Sequence, residues 1–224
     1  MSLPREQIRR MFGRISSRYD LLNALISLGL NHRWKDRAAE LCRVPPDGIA
    51  LDVCAGTADI ALALARRGAR MVALDFAREM LAVGRRKALD RPVWFVQGDA
   101  LKLPFPDSAF QAAVVGFSLR NVASVPRLVA EMRRVVKPGG RVVSLETSQP
   151  PSDLLRALYR AYLRFAISLT PLVSQGSAYR YLAASIFAFP GAEEIAGVFR
   201  AAGLREVSFQ RLLFGVVAVH FGKV

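Results

Sequence analysis

Residues 49–75 read IALDVCAGTADIALALARRGARMVALD. Two short apolar runs, Ile49 to Cys54 and Arg70 to Leu74, flank an alanine- and leucine-rich stretch, Ile60 to Arg67, which Gly68 closes. Short apolar runs bounded by turn residues read as buried strands, and the middle stretch reads as a helix with a glycine stop. A strand, a helix and a second strand in this order predict a parallel βαβ unit, because the crossover helix returns the chain to the same edge of the sheet.

The same rhythm continues downstream. A helix is expected from Glu79 to Leu89, a strand from Val93 to Val96 and another from Gln111 to Phe117. A helix from Pro126 to Val136, a strand from Gly140 to Glu146 and a helix from Ala192 to Ala202 follow. Strands at Arg205 to Leu212 and Phe214 to Phe221 are joined too tightly for a crossover and are expected to be antiparallel. The whole reads as a mostly parallel α/β sheet with helices on both faces. Upstream, Leu21, Leu22, Leu25, Ile26 and Leu28 form a helical stripe that Gly29 stops, and Trp34 opens a second helix to about Cys42. Residues 150–190 break the rhythm with an aromatic, apolar helical insertion. With 224 residues, the chain is expected to form a single domain, 1–224. Residues 1–47 and 150–190 would form a helical lid over the ligand edge of the sheet.

Composition narrows the function classes. Lys and Arg number 32 against 18 Asp and Glu, a net charge of +14, scattered rather than in one dense block. A solvated basic surface is the first expectation and an anionic membrane surface the second; nucleic acid ranks last, since no nucleic-acid module is recognisable. Neither a secretory signal nor a membrane span is expected. Cys42 and Cys54 do not form a disulfide framework; Cys54 reads as a buried thiol inside the first strand. His32 and His220 stand far apart and no HxxxH or CxxC occurs, so no metal site is expected. The default location is the cytoplasm, with contact at the inner face of its membrane, and a homodimer stays open.

Three acids mark the ends of three successive strands: Asp52 and Asp75 end the first two, and Asp99, in Gly98-Asp99-Ala100, follows the third. All would lie on the carboxyl edge of the sheet, where open α/β sheets bind ligands. Gly56 and Thr57 make the first turn, where a missing Cβ lets a ligand approach the backbone. The loop holds one glycine rather than the G-x-G-x-x-G of dinucleotide sites, and Asp52 and Asp59 would repel pyrophosphate. They would attract the amino group and sulfonium of S-adenosyl-L-methionine. Asp75 suits a ribose diol, and Asp99 with the Ala100 N–H suits an adenine edge. Each acid could instead be a helix cap or turn former, Asp59 above all.

Several blocks together resemble the demethylmenaquinone/2-methoxy-6-polyprenyl-1,4-benzoquinol methyltransferases. They are FGRISSRYDLLNALISLGLNHRWK (12–35), LDVCAGTAD (51–59), GDALKLPFPDSAF (98–110), GFSLRNV (116–122) and RVVKPGGRVVSLETS (134–148), followed by YRYLAASIFAFP (179–190) and a tail block at 201–222. The resemblance spans nearly the whole chain. It implies a Rossmann-like class I methyltransferase fold, with a seven-stranded sheet whose last strand is antiparallel. It also implies adenosylmethionine contacts at Thr57, Asp75, Asp99 and Ala100, and a further one at Gly116. The implied reaction is C-methylation of an isoprenoid quinol, and the shared blocks do not separate demethylmenaquinol from a polyprenyl benzoquinol; the short chain without a mitochondrial-type leader favours the former. In the family, glycine is usual at the position of Ala58, and histidine at that of Asn31, one place before His32.

Arg120 and Asn121 follow the fourth strand and are candidates for stabilising a phenolate; the competing reading of Arg120 is an ion pair holding the N-terminal helices. Tyr19 could bond a quinol oxygen or anchor the lid, and Tyr179 and Arg180 could face the ring. Leu158, Tyr162, Phe165, Phe187 and Phe189 are expected to line an isoprenoid tail or to form the core of a helical layer. Three other readings remain: an NAD-dependent oxidoreductase, which lacks the triple-glycine loop; an RNA methyltransferase, which lacks the N/D-P-P-Y/F acceptor loop; and a non-catalytic module binding RNA or lipid.

Overall fold

The computed structural model describes residues 7, 13, 19–168 and 184–224. Helices α1 (Tyr19–Ile26) and α2 (Asn31–Leu41) precede β1 (Ile49–Val53), α3 (Asp59–Ala65), β2 (Arg70–Asp75), α4 (Arg78–Lys87) and β3 (Val93–Gln97). Then come β4 (Phe110–Gly116), a 3-10 turn (Leu119–Asn121), α5 (Val125–Val135), β5 (Val136–Thr147) and α6 (Asp153–Ser168). Helix α7 (Ala192–Ala201) and strands β6 (Arg205–Leu212) and β7 (Val217–Lys223) complete the described chain.

The seven strands form one sheet in the order β3-β2-β1-β4-β5-β7-β6. Strands β1 to β5 pair in parallel; β7 lies antiparallel to both of its neighbours. The order reverses between β1 and β4, which opens a crevice at their carboxyl ends. Strand alternation sorts the core into two layers. Ala50, Ala112, Val114 and Leu145 face α2 and α3. Leu51, Val53, Ala113 and Val115 face α5 and α7. Helix α3 is buried on every side from Ile60 to Ala65, so its small alanines let it sit close beneath the sheet.

Four expectations need correction. Helix α2 begins at Asn31, one turn before Trp34, where the Ser27 hydroxyl receives the Asn31 N–H at 3.2 Å. Cys54 lies beyond β1, is half-buried and takes a φ of +55°. Phe214 is in no strand: Leu213, Phe214 and Gly215 form a left-handed turn with φ of 45°, 56° and 91°, and β7 starts at Val217. Strand β5 starts at Val136, but its pairing with β4 is interrupted after Phe110↔Val136 and resumes at Ala112↔Arg141.

His220 of β7 packs between Phe199 and Phe209, ring centroids 5.9 Å and 5.5 Å away, with Nε2 2.9 Å from the Ala192 carbonyl. Burial holds its pKa down to about 4, from 6.5. The unfolded chain therefore binds more protons than the native one between these values. The stability this neutral imidazole contributes is complete above pH 6.5 and lost as pH falls toward 4, up to about 3 kcal/mol. Urea midpoints measured from pH 7 to 4.5 should fall more steeply for the wild type than for His220→Phe. Parallel curves would mean that His220 titrates normally in the native state.

Candidate functional site

The carboxyl ends of β1, β2 and β4 open into a cavity of about 280 Å³. Asp52, Gly56, Thr57, Asp75, Asp99, Ala100 and Gly116 all line it, and so do Arg120 and Asn121. Sequence positions spread over 70 residues meet here because successive βα turns of a parallel sheet end on one edge.

The floor is set by carboxylates holding backbone. Asp75 Oδ2 accepts the Gly56 N–H and Oδ1 the Ala77 N–H, each at 2.8 Å, which ties the β1 turn to the end of β2. Asp52 accepts the Ala61 N–H at 2.9 Å from inside α3. Burial pushes its carboxyl up to about 7, aided by the nearby Asp75 and Asp59 charges and opposed by the Ala61 N–H and Lys35. Burial raises the Asp75 carboxyl as well, against N–H donors from Ala77, Gly56 and Phe76. Asp99 caps its own turn, taking the Leu101 N–H at 2.9 Å. So the structural readings of these acids hold together with their place in the cavity; the carboxylates are fixed before any ligand arrives.

Two glycines let floor side chains pack against the backbone. Gly56 has a φ of +55°, and a Cβ there would meet Met80 Cε at 3.2 Å; at Gly116 it would come within 2.5 Å of Ile60 Cδ1. Ala58, where the resemblance leads one to expect glycine, adopts φ 63°, ψ 28° as the N-cap of α3. Its backbone is left-handed, the conformation that suits glycine, and its methyl is fully buried.

Beside this loop lies a charge cluster that sequence reading missed. Asp59 takes Lys35 Nζ at 2.5 Å and also pairs with Lys87. Lys87 Nζ reaches Asp20 of α1 at 2.8 Å and Thr57 Oγ1 at 3.2 Å, while Thr57 donates to Asp20 at 2.7 Å. Helices α1 and α2 are thereby pinned to the β1 turn. Burial works against the charged form of Asp59, but the two lysines prevail and lower its carboxyl.

The other end of the cavity is apolar with a few polar groups. Trp34, Phe117, Ile26, Leu163 and Ile186 supply the apolar wall. Gln149 holds the Ile186 segment by donating to the carbonyls of Ile186, Phe187 and Phe189. Arg120 enters from the turn after β4 and pairs with Glu146 of β5; both side chains are nearly sealed from solvent. The competing reading of Arg120 is thus half right: an ion pair exists, but it anchors the arginine to the sheet and not to the N-terminal helices. Arg120 Nε and Glu146 Oε2 have no hydrogen-bond partner. Tyr159 of α6 also lines this end, its phenol pushed up by burial, with the Arg120 and Glu146 charges close enough to act on it.

Asn31 is the other residue not foreseen. Its side chain is buried on the cavity wall, and neither Nδ2 nor Oδ1 has a partner. His32, one position on, faces solvent. The sequence offered one signal, the resemblance of the N-terminal block, which implies histidine as the usual residue at this position. The Tyr19 side chain, Tyr179 and Arg180 lie outside the described residues. Of the five expected tail contacts, only Tyr162 lines the cavity, its hydroxyl donating to the Ile26 carbonyl at 2.7 Å. Leu158 and Phe165 face solvent, and Phe189 is packed under the sheet.

Comparison with known proteins agrees with this geometry. A family model described as the ubiE/COQ5 methyltransferase family matches residues 1–224. A demethylmenaquinone methyltransferase of Thermus thermophilus is 43% identical over 218 residues, covering 95% of this chain and 99% of that protein. The enzyme of the same name from Anoxybacillus flavithermus is 41% identical over 225 residues, with 97% and 95% covered. Among solved structures, a SAM-dependent methyltransferase from Thermotoga maritima superposes with a TM-score of 0.70 at 17% identity, over 96% of this chain and 98% of that one. With a full-length family match, relatives above 40% identity and a seven-stranded sheet that gathers the expected acids at one crevice, the chain belongs to the ubiE/COQ5 methyltransferase family.

Proposed function

We propose that this enzyme transfers a methyl group from S-adenosylmethionine to a ring carbon of demethylmenaquinol, giving menaquinol. One observation carries the reading: a single cavity joins a nucleoside-type floor, Asp75 and Asp99 at the strand ends, to an apolar wall beside the enclosed cation Arg120. The names of the relatives support the naphthoquinol acceptor.

The residues fit the donor. Asp75 would hold the ribose diol and Asp99 with Ala100 the adenine edge. Gly56 leaves room at the methionine end, and Asp52 and Asp59 supply negative potential there. The bound donor supplies an electrophilic methyl on a sulfonium. On the acceptor side, the ring carbon ortho to a phenolate is the nucleophile. Arg120 would favour that phenolate, Asn121 would orient the ring oxygen, and the apolar wall would exclude water. Tyr19, at the start of α1, is proposed as a further contact to a quinol oxygen. The product carbon then loses its ring proton and aromaticity returns.

The deciding assay uses labelled adenosylmethionine with reduced demethylmenaquinone and mass analysis of the product. Label on the naphthoquinol ring is expected, and none with the oxidised quinone, which has no phenolate to donate charge. Equal rates on both would overturn the mechanism; transfer only to a benzoquinol analogue would move the enzyme to the other branch of its family.

Two further outcomes follow. Below pH 7, Asp52 is largely protonated in the free enzyme. A cationic methionine end favours its carboxylate, so donor binding should release a proton and tighten as pH rises toward about 7, then level off. Calorimetry in buffers of different ionisation enthalpy reads this directly. A proton count of zero at pH 6.5, or one unchanged in Asp52→Asn, would remove Asp52 from the donor site. Asn31, with a donor and an acceptor both unpaired, matches a ring hydroxyl that needs one of each. Asn31→Leu should raise the KM for quinol about tenfold or more while leaving the donor Kd unchanged. An unaltered KM would make Asn31 a wall residue only.

The acceptor's isoprenoid tail resides in a bilayer, so a peripheral position at the inner face of the cytoplasmic membrane belongs to this reading. Among the described residues no helix is long and apolar enough to cross a membrane.

A further inference from the structure

Helix α6 has two apolar faces, and only one is used. Tyr159, Tyr162 and Leu163 turn inward to the cavity. Leu154, Leu158 and Phe165 fall within about 40° of one another on a different face and are 68%, 59% and 65% exposed. Arg160 and Arg164, both exposed, stand roughly a third of a turn away from that row. Arg160 also covers the Phe187 ring, 5.7 Å from its centroid.

This row has neighbours of the same character. Helix α1 is joined to α6 by the Tyr162–Ile26 hydrogen bond and shows Leu21 and Leu25, one turn apart, to solvent. The turn before β7 packs on the start of α6, since a Cβ on Gly215 would meet Pro151 Cδ at 3.0 Å. That turn projects Phe214, 76% exposed, from a left-handed backbone that a bulky residue adopts only under strain. Leu28 and Leu213 belong both to this surface and to the cavity lining, which makes them its rim.

Single exposed leucines are ordinary; apolar side chains from three elements around one cavity mouth are not. We propose that this face docks on an anionic phospholipid bilayer, with the apolar rows entering the headgroup boundary and Arg160 and Arg164 reaching phosphates. The proposal rests on the quinol reading for its purpose, because the mouth would then open where the tail emerges. The occupant follows from the chemistry. Exposed arginines about a third of a turn round the helix from an exposed apolar row match the charged flank of an interfacial helix, and the charge of +14 complements an anionic surface. A second copy of the chain would bring arginines against arginines and has no such complement.

The test uses the whole protein and sedimentation with vesicles of phosphatidylcholine alone or with about one third phosphatidylglycerol. The wild type should partition to the anionic vesicles at least about tenfold better. Leu158→Ser/Phe165→Ser should lose at least about tenfold of that binding, and Arg160→Gln/Arg164→Gln should lose the preference for the anionic lipid. Calorimetric binding of S-adenosylmethionine checks that both variants are folded. A wild type that ignores vesicles, or an apolar variant that binds them undiminished, overturns the proposal. So does a dimer in sedimentation velocity that Leu158→Ser/Phe165→Ser dissolves, since the face would then join two copies. Methylation of a tail-less, water-soluble demethylmenaquinol without vesicles reads the enzyme's reaction separately. The surface variants should match the wild type there and fall behind only on long-tailed quinol in vesicles. Failure of every variant and the wild type on both acceptors would defeat the quinol reading, while the vesicle result would still decide the docking face.

Discussion

Replacing Asp75 with alanine is expected to weaken S-adenosylmethionine binding by about a hundredfold or more. Two hydrogen bonds from a ribose diol to a carboxylate are each worth about 1.5–3 kcal/mol, and tenfold in Kd corresponds to about 1.4 kcal/mol. The structure adds a second route to the same loss. Asp75 also receives the Gly56 and Ala77 N–H groups, so its removal frees the glycine turn that should meet the donor. Folding should suffer much less than binding. Burial disfavours the charged form of this carboxyl, so its loss partly offsets the two N–H groups left without acceptors. Calorimetric titration with S-adenosylmethionine and with NAD, beside a melting curve of the free variant, separates the two effects. An unchanged Kd in a folded variant would remove the ribose assignment, and NAD binding by the wild type in place of the methyl donor would return the oxidoreductase to consideration.

Arg120→Met should fail twice, in folding and in catalysis, and a second substitution should tell the failures apart. The single change leaves Glu146 charged and almost wholly enclosed, which costs about 3–5 kcal/mol when one partner of a buried pair is removed. A chain of this size should then melt about 10 °C lower. In Arg120→Met/Glu146→Gln the stranded charge is gone and most of the stability should return. If Arg120 stabilises the phenolate, kcat in the double variant should still be down about 10²- to 10³-fold, the usual effect of removing a donor from a developing oxyanion. Full kcat in a refolded double variant would reduce Arg120 to a strut between the β4 turn and β5.

These two residues also mark the boundary between what could be read along the chain and what could not. Asp75 was legible because its signals are local. An apolar run ends, an acid follows, a helix begins, and a parallel sheet then puts that acid on the ligand edge whatever the rest of the chain does. Asp52, Gly56 and Asp99 were read from equally local turns and strand ends, as were the strands and most helix limits, whereas Gly116 came from the resemblance alone. The single-glycine loop and the charges of Asp52 and Asp59 leaned toward a sulfonium donor over a dinucleotide, and the resemblance of whole blocks to one methyltransferase family supplied the reaction, which spacing alone left open.

Contacts between distant segments were not legible. Glu146 is 26 residues from Arg120, Asp20 is 37 from Thr57 and Lys35 is 24 from Asp59. No local pattern ties such pairs, because long charged side chains choose partners by proximity in space. Asn31 carried no expected role, because its place on the cavity wall follows from α2 beginning one turn before Trp34. Helix α6 shows the limit most clearly. Its apolar residues repeat on two faces, so periodicity established that it is a helix with buried aromatics but not which face is buried. The packing against α1 and the cavity turned Tyr159 and Tyr162 inward and left Leu158 and Phe165 in solvent. The sequence by itself determined the βαβ frame and the acids of its ligand edge, through rules that act over a few residues. The tertiary structure alone decided which helical faces meet the sheet, and with them where the buried cation, the unpaired amide and the exposed apolar rim are found.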